Sequence, residues 1–154
     1  MSELSKRAVK AQGWRWIPGM LVRDRLSAGH RSRVLHADGM LVDAVDVTAG
    51  RTDSFRGRFS FPASSEAAYP DLEDPATLGC VERLVCLAHS GAVQVRFGVD
   101  VMPDMSGKPK GWWRVVDAKG RSVARGHSLA PLGESVRAWA LVEALEAAPC
   151  EGGQ

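Results

Sequence analysis

"RSRVLHADGMLVDAVDV", residues 31–47, decides the fold. Two runs flank Asp38-Gly39, a dipeptide that marks a two-residue hairpin turn because a type I′ turn needs positive φ at both central positions. Past the turn, Leu41, Asp43, Val45 and Val47 alternate with Val42, Ala44 and Asp46. One face is mostly apolar and the other mixed, the pattern of a strand covered on one side. Strands joined by so short a turn pair antiparallel, since a parallel pair needs a long crossover.

On the N-terminal side, residues 3–11 predict a short helix with Leu4, Ala8 and Ala11 on one side, stopped at Gly13. In "GWRWIPGM", Trp14 and Trp16 precede a Pro18-Gly19 corner, and "GMLVRD" reads as a short strand. If that segment is extended, both indoles fall on one face with Arg15 pointing away, which suits a clamp over the sheet or the terminal helix. On the C-terminal side, "RGRFSF" predicts another strand, with Phe55, Phe59 and Phe61 as apolar candidates. "PASSEAAYPDLED" has no clean period and reads as a surface loop.

"DPATLGCVERLVCLAHSG", residues 74–91, predicts a helix capped by Asp74, with Pro75 where its missing N–H costs nothing. Leu78, Val81, Leu84, Val85 and Ala88 share an apolar arc; Glu82, Cys86 and His89 lie opposite. In "AVQVRFGVDV", Val93, Val95, Phe97, Val99 and Val101 face a core, while Gln94, Arg96, Gly98 and Asp100 face solvent. "MPDMSGKPKG" is a polar loop. "WWRVV", the turn "DAKG" and "RSVARG" make a second hairpin, in which the adjacent Trp112 and Trp113 must point to opposite faces. "GESVRAWALVEALEAAP" is a terminal helix with a stripe of Ala138, Leu141, Val142, Leu145 and Ala148, ended by Pro149. Hairpins dominate and no strand-helix-strand repeat is present. The prediction is therefore an α+β fold: one domain over residues 1–149, a twisted antiparallel sheet with a central and a C-terminal helix packed on it. Residues 150–154 form a frayed tail.

Composition narrows the function. The chain has 154 residues, 45% apolar and 25% charged, ordinary for a globular domain with a real core. No apolar run approaches the ~20 residues of a membrane helix. "MSELSKRAVK" lacks the apolar segment of a secretory signal. Three cysteines, Cys80, Cys86 and Cys150, with no CxxC pair, argue against a disulfide scaffold or structural zinc and predict a reducing cytoplasm. The net charge of +2 is uneven: residues 1–60 carry eleven Lys/Arg against six Asp/Glu, and residues 61–90 one against five. A basic N-terminal third attracts an acidic partner or a phosphate backbone.

Five constellations bear on chemistry. Glu82, Cys86 and His89 share a helical face, as an activated thiol would require. Catalytic Cys and His usually come from separate elements, however, and no glycine-rich oxyanion loop accompanies these. His30, His36, His89 and His127 are scattered without HxxxH or HxH spacing, so neither metal nor cofactor is predicted. "SGKPKG" is not a P-loop, but Lys108 and Lys110 are candidates for contact with an acidic partner. Arg15, Arg23, Arg25, Arg31 and Arg33 near Trp14 and Trp16 offer cations beside rings, as single strands require. Arg31 and Arg33 also fit the wet face of a strand, and no helix-turn-helix or RNP motif is present. Trp139 lies about 120° from the main stripe of its helix, on the side of Val136, Glu143 and Glu146. It is either an interface anchor or a ring covered by a loop.

"GWRWIPGM", "YPDLEDPATLGC", the helix that follows and the terminal "ALVEALEAAP" together resemble small uncharacterised proteins of tailed phages and prophages of proteobacteria. The resemblance covers both ends and the central helix, not the middle hairpins. That family has no established activity, so no catalytic residues carry over. The resemblance implies a phage accessory product acting in the cytoplasm of the bacterial host. Small phage proteins of this kind often bind a host machine and block it, as anti-CRISPR proteins do.

The leading expectation is a non-catalytic phage or prophage accessory protein that binds a host protein complex, in its sharpest form a nucleoprotein defence complex. Its contacts would be Trp139 with Val136 and Glu143, the basic N-terminal hairpin, or Lys108 and Lys110. The alternative is a nucleic-acid-binding accessory protein using Arg23, Arg25, Arg31 and Arg33. A third reading is an enzyme relying on Cys86 and His89.

Overall fold

A computed structural model describes residues 3–24, 31–47, 58–64, 68–99, 110–128, 130–131 and 134–149. In chain order the elements are α1 (Glu3–Lys10), β1 (Leu21–Asp24), β2 (Arg31–Ala37), β3 (Leu41–Asp46), β4 (Arg58–Pro62), β5 (Ala68–Pro70), α2 (Pro75–Ala88), β6 (Ala92–Val99), β7 (Gly111–Asp117), β8 (Ser122–Ser128) and α3 (Val136–Glu146). All strand pairs are antiparallel, in a five-stranded sheet of order β4-β3-β2-β1-β5 and a three-stranded sheet of order β6-β7-β8. The predicted α+β architecture is what the chain adopts, with the hairpins divided between two sheets. The chain splits into two compact units, Met1–Val9 with Arg15–Cys80, and Lys10–Trp14 with Val81–Gln154.

In the first unit, β2 and β3 form the hairpin read from the sequence, with one correction. The turn centres on Gly39-Met40, closed by the Asp38 N–H to the Leu41 carbonyl at 3.2 Å. Within the turn only Gly39 takes a positive φ, 91°; no described non-glycine residue does. A single positive φ departs from the expected type I′ turn, which needs two. The Asp38 carboxylate accepts the Met40 and Leu41 amides at 2.9 and 2.8 Å, which holds Asp38 in the ladder and moves the turn on by one residue.

Val22, Val34, Val42 and Ala44 are buried on one face of this sheet. Trp16 is buried edge-on against Phe61, with centroids 5.5 Å apart, whereas Trp14 is half-buried. The stretch read as a loop contains β5, whose three residues are all buried and pair with β1. Three residues are too few to show a period, and Pro70 disguises them further. The N-terminus of α2 is tied to β1 and β2 as its cap predicts. Asp74 Oδ2 accepts the Thr77 amide and hydroxyl, both at 2.8 Å, and meets Arg33 Nη1 at 3.0 Å. The fully buried Thr77 oxygen also accepts the Leu21 amide at 2.8 Å.

In the second unit, α3 lies on one face of β6-β7-β8. Ser135 caps it, accepting the Ala138 amide at 3.2 Å. The predicted stripe is buried at Ala138, Leu141, Val142 and Leu145; Ala140 and Ala144 widen it, and Ala148 is only half-buried. Trp113, Val115 and Val95 are buried on the same side of the sheet. Trp113 is the core member of the adjacent pair, and Trp112 stands half-exposed on the other face. Among the described residues, the apolar face predicted for β6 is buried only at Val95: Val93, Phe97 and Val99 are 59%, 40% and 49% exposed, and Val101 lies outside the described residues. As an edge strand β6 has one neighbour, and α3 covers β7 and β8 more fully.

Candidate anion-binding face

The face of β6-β7-β8 turned away from α3 has an unusual composition. Register places Arg96 opposite Arg114, and Arg114 opposite Arg125. In the adjoining row, Gly98 is opposite Trp112, and Trp112 opposite His127. Cross-strand partners project to one side of a sheet, so three guanidinium groups stand abreast, next to an indole and an imidazole. The three arginines and His127 are exposed.

Two bulges build this row. On β6, Ala92 pairs with Asp117 but Gln94 with Val116, leaving Val93 as the extra residue. On β8, Ala124 pairs with Val115 but Ser122 with Val116, leaving Val123 as the extra residue. Each one-residue insertion turns the rest of its strand over relative to β7, because side chains alternate with period two. Counted without bulges from Asp117, Arg96 and Arg125 would both lie opposite Trp113, on the side of α3.

Within this face Trp112 lies over Gly98. A Cβ there would stand 2.6 Å from Trp112 Cζ2, so only glycine admits the ring. The Arg114 guanidinium carbon is 5.5 Å from the Trp112 ring centroid. No described carboxylate pairs with Arg96, Arg114 or Arg125. Arg96 donates to the neutral Gln94 side chain at 3.4 Å. Like charges directly opposite on neighbouring strands destabilise a sheet. This face therefore carries a repulsion that an anion would relieve.

The residues singled out from the sequence are differently employed. Arg23 pairs with Asp71 at 3.0 Å and with Glu73 at 3.4 Å, and Arg33 with Asp74 and the Gly19 carbonyl at 3.0 and 2.9 Å. Arg31 is exposed at the start of β2, and Lys110 is exposed just before β7. Arg25 and Lys108 lie outside the described residues. Trp139 is half-buried and donates to Glu134 at 2.9 Å; Val136 is half-buried; Glu143 accepts the Trp113 indole N–H at 3.3 Å.

The Glu82, Cys86 and His89 trio is tied into packing. His89 is buried and its Nε2 donates to the Ala144 carbonyl at 2.8 Å. Glu82 accepts the Val95 amide at 3.2 Å and Arg137 at 3.3 Å. Burial, with the Glu82 charge adding to it, pushes the Cys86 thiol up, away from the thiolate a nucleophile needs. A cleft of about 350 Å³ on the five-stranded sheet brings His36, Asp43, Arg58 and Ser60 together. There the Ser60 hydroxyl donates to Asp43, and His36 hydrogen-bonds to neither among the described residues, so no imidazole is placed on the serine. No group of three or more described His, Cys, Asp or Glu residues is arranged to hold a metal ion.

No protein-family model, curated protein or solved structure matches the chain. The arginine row escaped sequence reasoning because only the bulges align it. The available signal was Arg96 and Gly98 on the wet side of one strand and Trp112 and Arg114 on the wet side of the next.

Proposed function

We propose that the protein acts by binding, without chemistry of its own, and that the open face of β6-β7-β8 is its contact surface. The observation that carries this reading is the row Arg96, Arg114 and Arg125, three exposed cations abreast with no described carboxylate between them. Such a row favours a polyanionic partner. The resemblance to phage and prophage proteins supports the finer version: an accessory protein that engages a host nucleoprotein defence complex in the bacterial cytoplasm and blocks it, as anti-CRISPR proteins do. Among the described residues, no helix is long and apolar enough to cross a membrane.

Affinity capture from a bacterial host lysate, with and without nuclease, tests this. The bait is the native chain, the double variant Arg114→Glu/Arg125→Glu, or Trp139→Ala. The expected outcome is a complex lost on double charge reversal and kept by Trp139→Ala. Capture unchanged by the double reversal, in a variant with a normal melting curve, would reject this face as the contact surface.

A further inference from the structure

We infer that the partner of this face is single-stranded nucleic acid, held by its phosphates along Arg96, Arg114 and Arg125 and by an unpaired base against Trp112. The inference rests on the reading that the open face is the contact surface, and it names the ligand.

Three features select this ligand. The first is width. Three strands are separated by two steps of about 4.8 Å, so the cations span roughly 10 Å. That is too wide for one phosphate and suits successive phosphates of a chain. Guanidinium groups are also the preferred partners of phosphate, through paired donors.

The second is the ring beside the row. Trp112 is neither in the core nor paired through its indole N–H to a described acceptor, and Gly98 makes room for it on the sheet. His127 flanks it on β8. Cations tracking a backbone beside aromatic side chains on a sheet are how single strands are bound without sequence preference. Duplex bases are stacked on one another and offer no face to an indole. An acidic peptide would answer the arginines but leave the Trp112 and His127 row unused.

The third is the cost of the arrangement. Arg114 already stands over Trp112, but an exposed cation–π contact leaves the guanidinium charge in place. The two bulges that turn Arg96 and Arg125 onto Arg114 raise the local repulsion. Bulges of this kind re-aim side chains beside functional sites.

The test uses the purified full chain and fluorescence anisotropy. The probes are labelled oligothymidylate and oligouridylate, a hairpin duplex of equal charge, and polyglutamate. The single strands are expected to bind at low salt. With three phosphates neutralised, log affinity should fall against log salt with a slope of about −2. Arg125→Glu, an exposed edge-strand change, should weaken binding at least tenfold and lower that slope. Trp112→Ala should weaken binding roughly tenfold at unchanged slope, and Trp112→Phe should recover most of the loss. Three results would overturn the inference: no binding at low salt, polyglutamate or duplex binding as tightly as the single strands, or full affinity in folded Trp112→Ala. If no oligonucleotide binds while a nuclease-resistant lysate complex is still lost on Arg114→Glu/Arg125→Glu, the ligand is wrong and the contact surface stands. If double charge reversal leaves lysate capture intact, both fall.

Discussion

Arg125 faces Arg114 across β8 and β7 because Val123 is bulged out of the ladder between them. Beyond the bulge the pairs run Ala124 with Val115, Arg125 with Arg114, and Gly126 with Trp113. One residue thus decides whether a cation joins the open row or points toward α3. Deleting Val123 should remove the bulge and leave every pair beyond it in place. Oligonucleotide affinity is expected to match the native chain. Loss of binding in a folded deletion variant would show that the bulge supplies more than register.

The open row trades stability for a charged surface. Arg125→Glu places a carboxylate opposite Arg114, exchanging a repulsive cross-strand pair for an attractive one. Pairs of this kind contribute about 0.2–1 kcal/mol. Thermal unfolding at low salt should therefore show a slightly raised melting temperature in the variant that binds worst. A lowered melting temperature would mean that the Arg114 and Arg125 side chains support each other in a way that charge does not explain.

Two glycines on the three-stranded sheet underlie tryptophans and should respond differently. A Cβ on Gly126 would stand 2.5 Å from Trp113 Cζ2, and Trp113 is 4% exposed with its N–H held by Glu143. That ring cannot yield, so Gly126→Ala should cost about 1–3 kcal/mol by overpacking, or roughly 2–4 °C of melting temperature for each kcal/mol. Gly98→Ala meets the half-exposed Trp112 at 2.6 Å. That ring can swing into solvent, so the cost in melting temperature should be smaller and the loss of oligonucleotide affinity larger. Equal melting temperatures for the two variants would refute the distinction.

Thr77 is a buried junction, accepting from the Leu21 amide and donating to Asp74. Thr77→Val keeps the shape and leaves the Leu21 N–H without its acceptor. The expected loss is about 1–3 kcal/mol, the cost of a buried unsatisfied donor. Thr77→Ser should recover most of it, and denaturant titration of both variants measures the difference. A valine variant as stable as the native chain would remove Thr77 from this role.

Asp74 links the cap of α2 to β2. Burial pushes its carboxyl up, but the Thr77 hydroxyl and amide and the Arg33 guanidinium together outweigh that and hold it below the ordinary carboxylate range. Asp38 and Asp117 are also held low, foremost by the Leu41 and Arg121 amides. A depressed folded value means that stability is full above the ordinary carboxylate range and is lost as pH falls through the folded value. Unfolding free energy should thus be flat near neutrality on account of these groups and decline below about pH 4. Asp74→Ala should cost about 1 kcal/mol at pH 7 from the cap alone and flatten that acid-side decline. An unchanged acid profile in the variant would place the decline elsewhere.

Much of the fold was legible in the sequence because its signals are local. Asp74 and Pro75 mark a helix start through their own backbone chemistry. The Asp38-Gly39 dipeptide marks a hairpin, although the Asp38 carboxylate moved the turn by a residue. The spacing of Leu141, Val142 and Leu145 identified the buried side of α3. β5 was not legible: its three residues are held by pairing to β1, a partner more than forty residues away in the chain.

The candidate site was the least legible part. The sequence alone determined that Trp112 and Trp113 oppose each other and that Arg96 and Gly98 share a wet face, since alternation is a property of a single strand. Tertiary structure decided that Trp113 is the buried member, that Arg23 and Arg33 are matched by acids far along the chain, and that three arginines stand abreast. The physical reason is register. A one-residue bulge reverses which face a side chain joins, and its position is set by how neighbouring strands pack.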